Sequence, residues 1–216
     1  MDPRLSTRPR LPVRPLNEVV DFVERVSLNV PFGAELYGET PWRDLVPICA
    51  IVLRRAPRRI FEFGTFTGST TRALILNAPP DAELWTLDFD QPSRLAAKGL
   101  NRWNRNIDYR IIGKHFRGTR EAFQIHQILG NSLEFDTMPF RDTMDLIFVD
   151  ASHTYRYVSS DTVKAFEMLS PGGVILWHDY PNFGGVRRTL EELPAERRPT
   201  RILGTTTAMF VNPAGI

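Results

Sequence analysis

A short apolar strand, Arg59-Ile60-Phe61, runs into Glu62-Phe63-Gly64-Thr65-Phe66-Thr67-Gly68-Ser69-Thr70-Thr71 and on into a helix, Arg72-Ala73-Leu74-Ile75-Leu76. No other stretch of the chain restricts the fold as much. A strand that turns through glycines into a helix gathers free backbone N–H groups and the positive helix end at one point. That point suits an anionic or strongly polar ligand. Gly64 allows a tight turn, and Gly68 allows backbone to approach a ligand closely. The next apolar run, Leu84-Trp85-Thr86-Leu87, ends at Asp88, 24 residues after Gly64. An acid at the tip of a second strand is placed to meet the hydroxyls of a nucleoside ribose.

The glycine spacing narrows the choice of nucleoside. The dinucleotide fingerprint is G-x-G-x-x-G, and a P-loop needs Gly-Lys-Ser/Thr. Here the spacing is G-x-x-x-G, Glu62 stands two residues before the first glycine, and Gly-Lys-Ser/Thr does not occur. A carboxylate at that point repels a pyrophosphate but can face a cation. S-adenosylmethionine, with its sulfonium and ammonium groups, is such a ligand. Taken alone, the glycines leave an ordinary βα turn open as well.

Around this unit, apolar runs alternate with helical periods. Helices are predicted over Leu16 to Leu28, Trp42 to Arg55 (capped by Thr40 with Pro41 at its first position), Gly68–Asn77, Ser93–Arg102, Tyr155–Leu169 and Val186–Leu193. Strands are predicted over Arg59–Gly64, Glu83–Asp88, Ala122–Leu129, Met144–Asp150 and Val174–Trp177, with Arg201–Leu203 and Thr207–Asn212 as a closing hairpin. Such alternation implies an α/β fold, a largely parallel sheet with helices on both faces. Residues 1–15, rich in Pro and Arg, read as loose or extended. The chain divides into an N-terminal extension, 1–56, with two helices on the lid or acceptor side, and a ligand-binding domain, 57–216.

Composition sets outer limits. The 216 residues are 42% apolar, enough for one core, and the formal net charge of +2 gives no argument for nucleic acid. The single cysteine, Cys49, lies in an apolar run and excludes an internal disulfide. No run approaches the roughly 20 apolar residues of a membrane span, and no apolar segment follows the N-terminal arginines, so a cytoplasmic enzyme is the expectation.

Ligands of open α/β sheets bind beyond the carboxyl ends of the strands. The residues at those ends are Glu62 and Gly64, Asp88, Asn131 and Ser132, Asp150 with His153, and His178-Asp179. Asp150, His178 and Asp179 fall on neighbouring strands and could hold a divalent cation. Carboxylates suit Mg²⁺, and a histidine shifts the preference toward Mn²⁺, Fe²⁺ or Zn²⁺. His153, three residues past Asp150, has the ordinary pKa for a general base at neutral pH. His115 and His126 lack such a context and read as structural or surface residues.

The set Phe61 to Gly68, Leu84 to Asp88, Leu129-Gly130-Asn131-Ser132, Asp145 to His153 and Leu169 to Tyr180 resembles the class I S-adenosylmethionine-dependent methyltransferases over residues 57 to 193. More narrowly, it is similar to the group of macrolide sugar O-methyltransferases and cephalosporin hydroxylase-like proteins. The resemblance implies a single Rossmann-like seven-stranded sheet. It also implies S-adenosyl-L-methionine held by Glu62, Gly64, Thr65, Gly68, Ser69, Asp88, Asn131, Ser132 and Asp150. Asp88 would take the ribose, and Asn131 and Ser132 the adenine. Asp150, His178 and Asp179 stand where metal-dependent relatives bind Mg²⁺, so a divalent cation, Mg²⁺ or Mn²⁺, is a second candidate cofactor. His153 matches a catalytic base position, and Asp150 would act with it. Asn131 replaces a usual Asp, His178 a usual acid and Ala151 a common Gly. The expected reaction is O-methylation of a small-molecule acceptor, a sugar or natural-product hydroxyl, without nucleic acid or membrane, and a homo-oligomer is left open. The alternatives are a non-catalytic cofactor-binding protein and an NAD-dependent oxidoreductase. The latter lacks its third glycine, with Thr71 and Arg72 standing there instead.

Overall fold

The computed structural model describes residues 10–20, 26–31, 39–100 and 105–214. In chain order the elements are β1 (Val13–Arg14), α1 (Leu16–Val19), α2 (Trp42–Arg55), β2 (Arg59–Phe63), α3 (Ser69–Asn77), β3 (Glu83–Asp88) and α4 (Gln91–Ala96). They continue with β4 (Ile125–Leu129), β5 (Met144–Val149), α5 (Tyr155–Met168), β6 (Leu169–Trp177), α6 (Gly184–Glu191), β7 (Thr200–Ile202) and β8 (Ala208–Val211). Among the described residues one sheet holds every strand, in the order β1-β7-β8-β6-β5-β2-β3-β4. Strands β4, β3, β2, β5 and β6 are mutually parallel, whereas β8 runs antiparallel to both β6 and β7.

The central strands read as unbroken apolar runs because both of their faces are covered. Alternate side chains divide between two cores. Phe61, Phe63, Ile147, Val149, Ile175 and Trp177 pack with Val158, Ala165, Val186 and Leu190 of α5 and α6. Ile60, Leu84, Leu146, Phe148, Val174 and Leu176 pack with Ile48, Ile51, Val52 and Leu74 of α2 and α3. Period-two alternation within continuous hydrophobicity therefore serves two helical layers at once. Burial pushes the Cys49 thiol up to about 12, leaving it a protonated core residue.

Several boundaries differ from expectation. The sheet has eight strands where seven were expected, because Val13–Arg14, in the segment read as loose, pairs with β7. The Pro12 and Arg14 carbonyls accept from Arg201 and Leu203, so the proline-rich start needs no donors of its own. The helix expected over Leu16 to Leu28 stops at Val19. Val20 turns extended at φ −139° and is buried in the α2–α3 core, and 26–31 are not helical; 21–25 lie outside the described residues. Pro41 caps α2, while the Thr40 hydroxyl meets Thr70 Oγ1 at 2.9 Å. Asp90 caps α4 by accepting from the Ser93 N–H at 2.7 Å, so that helix starts and ends early; of the expected span, 101–104 lie outside the described residues. Arg120–Gln124 form a 3-10 turn, which delays β4 to Ile125. Strand β6 begins at Leu169, because pairing of Leu169 with Met144 carries it through Pro171-Gly172-Gly173.

The feature that positions the site is the tip of β2. Gly64 has φ 98°, and a Cβ there would lie 2.3 Å from the Asp150 carbonyl oxygen. Only a glycine lets β2 and β5 approach this closely at their ends. Gly64→Ala is expected to lower the unfolding free energy by about 2–5 kcal/mol, from left-handed strain and overpacking together, read as a shift in urea midpoint. An unchanged midpoint would show that the two tips separate freely.

Candidate active site

The ends of β2 to β6 open onto a cavity of about 430 Å³. Gly64, Thr65, Ser69, Asp88, Ser132, Asp150, His153, His178 and Asp179, all singled out in the sequence, line it. Glu39, Thr40 and Pro41 close it from the N-terminal side, and Phe89, Ile107 and Phe183 add apolar wall. Glu62, Gly68 and Asn131 are not among the lining residues.

Each of those three has a physical reason. Glu62 is fully buried beneath the turn, and its Oε2 accepts from Thr71 Oγ1 at 2.5 Å and Thr86 Oγ1 at 2.6 Å. With the Thr86 proton directed at Glu62, Thr65 must donate in its 2.7 Å contact with Thr86, and Gln127 Nε2 donates to Thr65 at 3.0 Å. Glu62 thus ends a hydrogen-bond chain that ties β4, the β2 turn, β3 and α3 together. Burial pushes its carboxyl up to about 8, against the two threonine hydrogen bonds and with help from the Asp150 and Asp88 charges. With its Oε2 taken by two hydroxyls, the Glu62 carboxyl holds the turn from beneath. Gly68, with φ 79°, caps α3 and lies where a Cβ would meet the Phe116 ring at 2.6 Å, so its close approach is to protein. Asn131 Oδ1 accepts from the Leu133 N–H at 3.2 Å and its Nδ2 donates to Glu134 at 3.0 Å.

Asp88 is heavily bonded. Its Oδ2 accepts from the Thr65 and Phe66 N–H groups at 3.2 and 2.8 Å, and its Oδ1 from the Phe89 N–H at 2.7 Å and Arg94 Nη2 at 2.8 Å. The acid on the second strand therefore organises the first-strand turn.

At the other end of the cavity, carboxylates and imidazoles alternate. His178 places Nδ1 3.2 Å from Asp150 Oδ1 and Nε2 3.7 Å from Asp44 Oδ2. His153 places Nε2 2.8 Å from Asp179 Oδ2 and 3.7 Å from Asp150 Oδ1, with its ring stacked on Phe183 at 4.2 Å. Asp179 has φ 63°, a left-handed conformation uncommon outside glycine. Burial works against the charges of Asp150, His153 and His178, and the neighbours outweigh it. The two imidazoles hold Asp150 down at about 2, Asp150 and Asp179 raise His153 to about 9, and Asp150 and Asp44 raise His178 well above its usual value.

Asp44 was missed in the sequence. It lies on α2, fully buried, and its Oδ1 accepts from the Thr206 N–H at 2.5 Å. The signal was there: an acid in phase with Ile48, Ile51 and Val52 on the apolar stripe of a helix must have a buried partner. Glu39 was missed too. It accepts from Thr67 Oγ1 at 2.7 Å and stands 3.2 Å from His115 Nε2, which gives that histidine a place beside the cavity. His126 stacks on Trp85 at 5.0 Å, at the surface.

As donors for a metal ion, Asp150, His153 and Asp179 each offer one atom, all within 4.8 Å of one another. Two carboxylates and one imidazole fit a divalent ion such as Mn²⁺. His178 is not in this set, since its two nitrogens face Asp150 and Asp44.

A family model described as a methyltransferase domain matches residues 61–180. No match was found among curated proteins. Among solved structures the chain is similar to the O-methyltransferase TomG from Streptomyces achromogenes, involved in tomaymycin synthesis and in complex with S-adenosylmethionine, at 21% identity over 78% of each chain, TM-score 0.55. It is similar to the O-methyltransferase from Bacillus cereus in complex with S-adenosylhomocysteine, at 17% identity, covering 83% of this chain and 82% of that one, TM-score 0.57. Cofactor-bound Rv0187 from MTB matches at 17% identity, covering 83% and 84%, TM-score 0.59.

Glu62 generates a pH dependence. Its folded pKa, about 8, stands above the ordinary 4.5, so its contribution to stability is complete below 4.5 and is lost as pH rises through 8. Glu62→Gln is expected to flatten the decline in urea midpoint over that window. A decline equally steep in the variant would remove Glu62 as its source.

Proposed function

The chain belongs to the methyltransferase-domain family, and on that premise we propose that it transfers the methyl group of S-adenosylmethionine to a hydroxyl of a small molecule. The observation that carries this reading is one cavity joining a strand–turn–helix unit, an acid at the tip of the second strand and an acid–imidazole cluster. The ribose lies at Asp88, the base extends over the tip of β4, and the sulfonium lies between the β2 turn and Asp150. O-methyltransferases of the same fold, seen with S-adenosylmethionine or S-adenosylhomocysteine, support it.

The transfer is an in-line displacement. The acceptor oxygen attacks the methyl carbon, the carbon–sulfur bond breaks, its electron pair stays on sulfur, and the acceptor loses a proton. The cavity contributes chiefly position, worth several kcal/mol with the reacting atoms held about 3 Å apart. His153 is our candidate for the proton, backed by Asp179. Asp150 and Asp179 keep this imidazole charged up to about 9, so as a base it works only in its deprotonated fraction. The same three donor atoms of Asp150, His153 and Asp179 would hold a divalent cation, whose chemistry is to lower the pKa of the acceptor hydroxyl. In that case His153 is a ligand and not the base.

Three measurements test this. Asp88→Ala should weaken S-adenosylmethionine binding at least tenfold in titration calorimetry, about 1.4 kcal/mol; equal affinity would take Asp88 out of the site. In the base reading, methyl transfer rises with pH through about 9, and His153→Ala lowers it about 10²-fold with cofactor affinity retained. In the cation reading, a chelator abolishes transfer and Mn²⁺ or Mg²⁺ restores it; full activity in chelator leaves the base.

A further inference from the structure

Phe183, the residue before α6, puts an aromatic ring on the cavity wall beside the acid–imidazole cluster. The His153 imidazole stacks on that ring at 4.2 Å and 16°, yet the residue stays 41% exposed. The backbone fixes its place at both ends. The Phe183 N–H donates to the Asp179 carbonyl at 3.3 Å, and the Phe183 carbonyl accepts from the Arg187 N–H at 2.9 Å. Gly185, two residues on, lies so close to the loop after β5 that a Cβ there would fall 2.5 Å from the Tyr155 nitrogen. The start of α6 is thus pressed against the loop that carries His153, and the two rings are held face to face. An exposed aromatic ring on an open surface needs no explanation. A ring fixed at a cavity wall, against the candidate base, is a contact surface for whatever enters the cavity.

We propose that Phe183 is a specificity-determining residue, and that its ring selects an acceptor whose hydroxyl is carried on a planar aromatic ring. The inference rests on the methyl-transfer reading above. Aromatic rings meet offset or edge to face, with centres about 4.5–7 Å apart. Because the imidazole covers one face of Phe183, an acceptor ring set against the edge of the stack touches Phe183 and brings its hydroxyl alongside His153, one ring spacing away. The hydroxyls of the wall are already engaged with protein. Ser152 Oγ lies 3.2 Å from Thr154 Oγ1, Thr40 Oγ1 lies 2.9 Å from Thr70 Oγ1, and Thr67 donates to Glu39 at 2.7 Å. Asp150, His153, His178 and Asp179 face one another. An acceptor with a hydroxyl on nearly every carbon would bring many polar groups to a wall whose own are paired, and each one left unmet is costly. A planar ring needs only its reacting hydroxyl met, at the cluster, and covers the Phe183 ring with the rest.

The test compares 2-naphthol with decahydro-2-naphthol, its saturated counterpart with the same single hydroxyl, by calorimetry on the full chain saturated with S-adenosylhomocysteine. Methyl β-D-glucopyranoside serves as the sugar probe. The wild-type protein should bind the naphthol about three- to tenfold tighter than either, the worth of one aromatic pair beyond its buried area. Phe183→Leu, which keeps an apolar side chain, should bring the naphthol and its saturated counterpart within about twofold, whereas Phe183→Trp should keep the preference. A merely structural role for Phe183 would lower the melting temperature and leave the ratio alone. An undiminished preference in Phe183→Leu would overturn the inference. So would a wild-type protein that binds S-adenosylhomocysteine but not the naphthol, or that binds the saturated alcohol or the glucoside as tightly as the naphthol. Failure to bind S-adenosylhomocysteine would instead overturn the methyl-transfer reading.

Discussion

The approach of β2 to β5 at Gly64 and the Asp150 carbonyl governs what the cavity can be. A methyl group does not fit between them, so the end of α3 and the Asp150 carboxylate share one wall. The Asp150 backbone cannot move away from the turn without parting the two central strands of the sheet. Its carboxylate projects from that held backbone, and the imidazoles of His178 and His153 are arranged around it. Glu62 acts on the same wall from beneath, tying the turn to β3 and β4 through a chain of hydroxyls.

Charge follows from this geometry. Asp44, Asp150 and Asp179 surround two imidazoles in a space that water reaches poorly. Asp44, Asp150 and the two imidazoles favour one another's ionised forms, so removing one of them leaves an uncompensated buried charge rather than a vacancy. The cluster is therefore rigid and sensitive as a unit. It also joins elements far apart in sequence: α2 and the loop before β8 reach His178 through Asp44 and Thr206.

The central strands were legible because parallel strands covered on both faces leave long apolar runs. Glu83–Asp88 was located to the residue, and Met144 to within one at its far end. Boundaries failed where tertiary contact overrode local pattern, as when Val20 left its helical period to enter the core, or when pairing with Met144 drew Leu169 into a strand. At the site, residues on strand tips were readable because topology alone brings tips together. Which of them face inward was not. Glu62 and Asn131 sit in motif positions, yet their side chains turn to protein partners. Asp44 lies inside a helix, where only its mismatch with an apolar environment marks it.

The short strand β1 has a consequence out of proportion to its two residues. It covers the outer side of β7, where the N–H groups of Arg201 and of Leu203 just beyond the strand would otherwise face solvent as an open sheet edge. Bare edges recruit strands from other molecules. Loss of this strand after a proteolytic nick at Arg14 would thus leave the cavity residues in place while giving the molecule a self-adhesive edge, so that solubility rather than chemistry would be the first property lost.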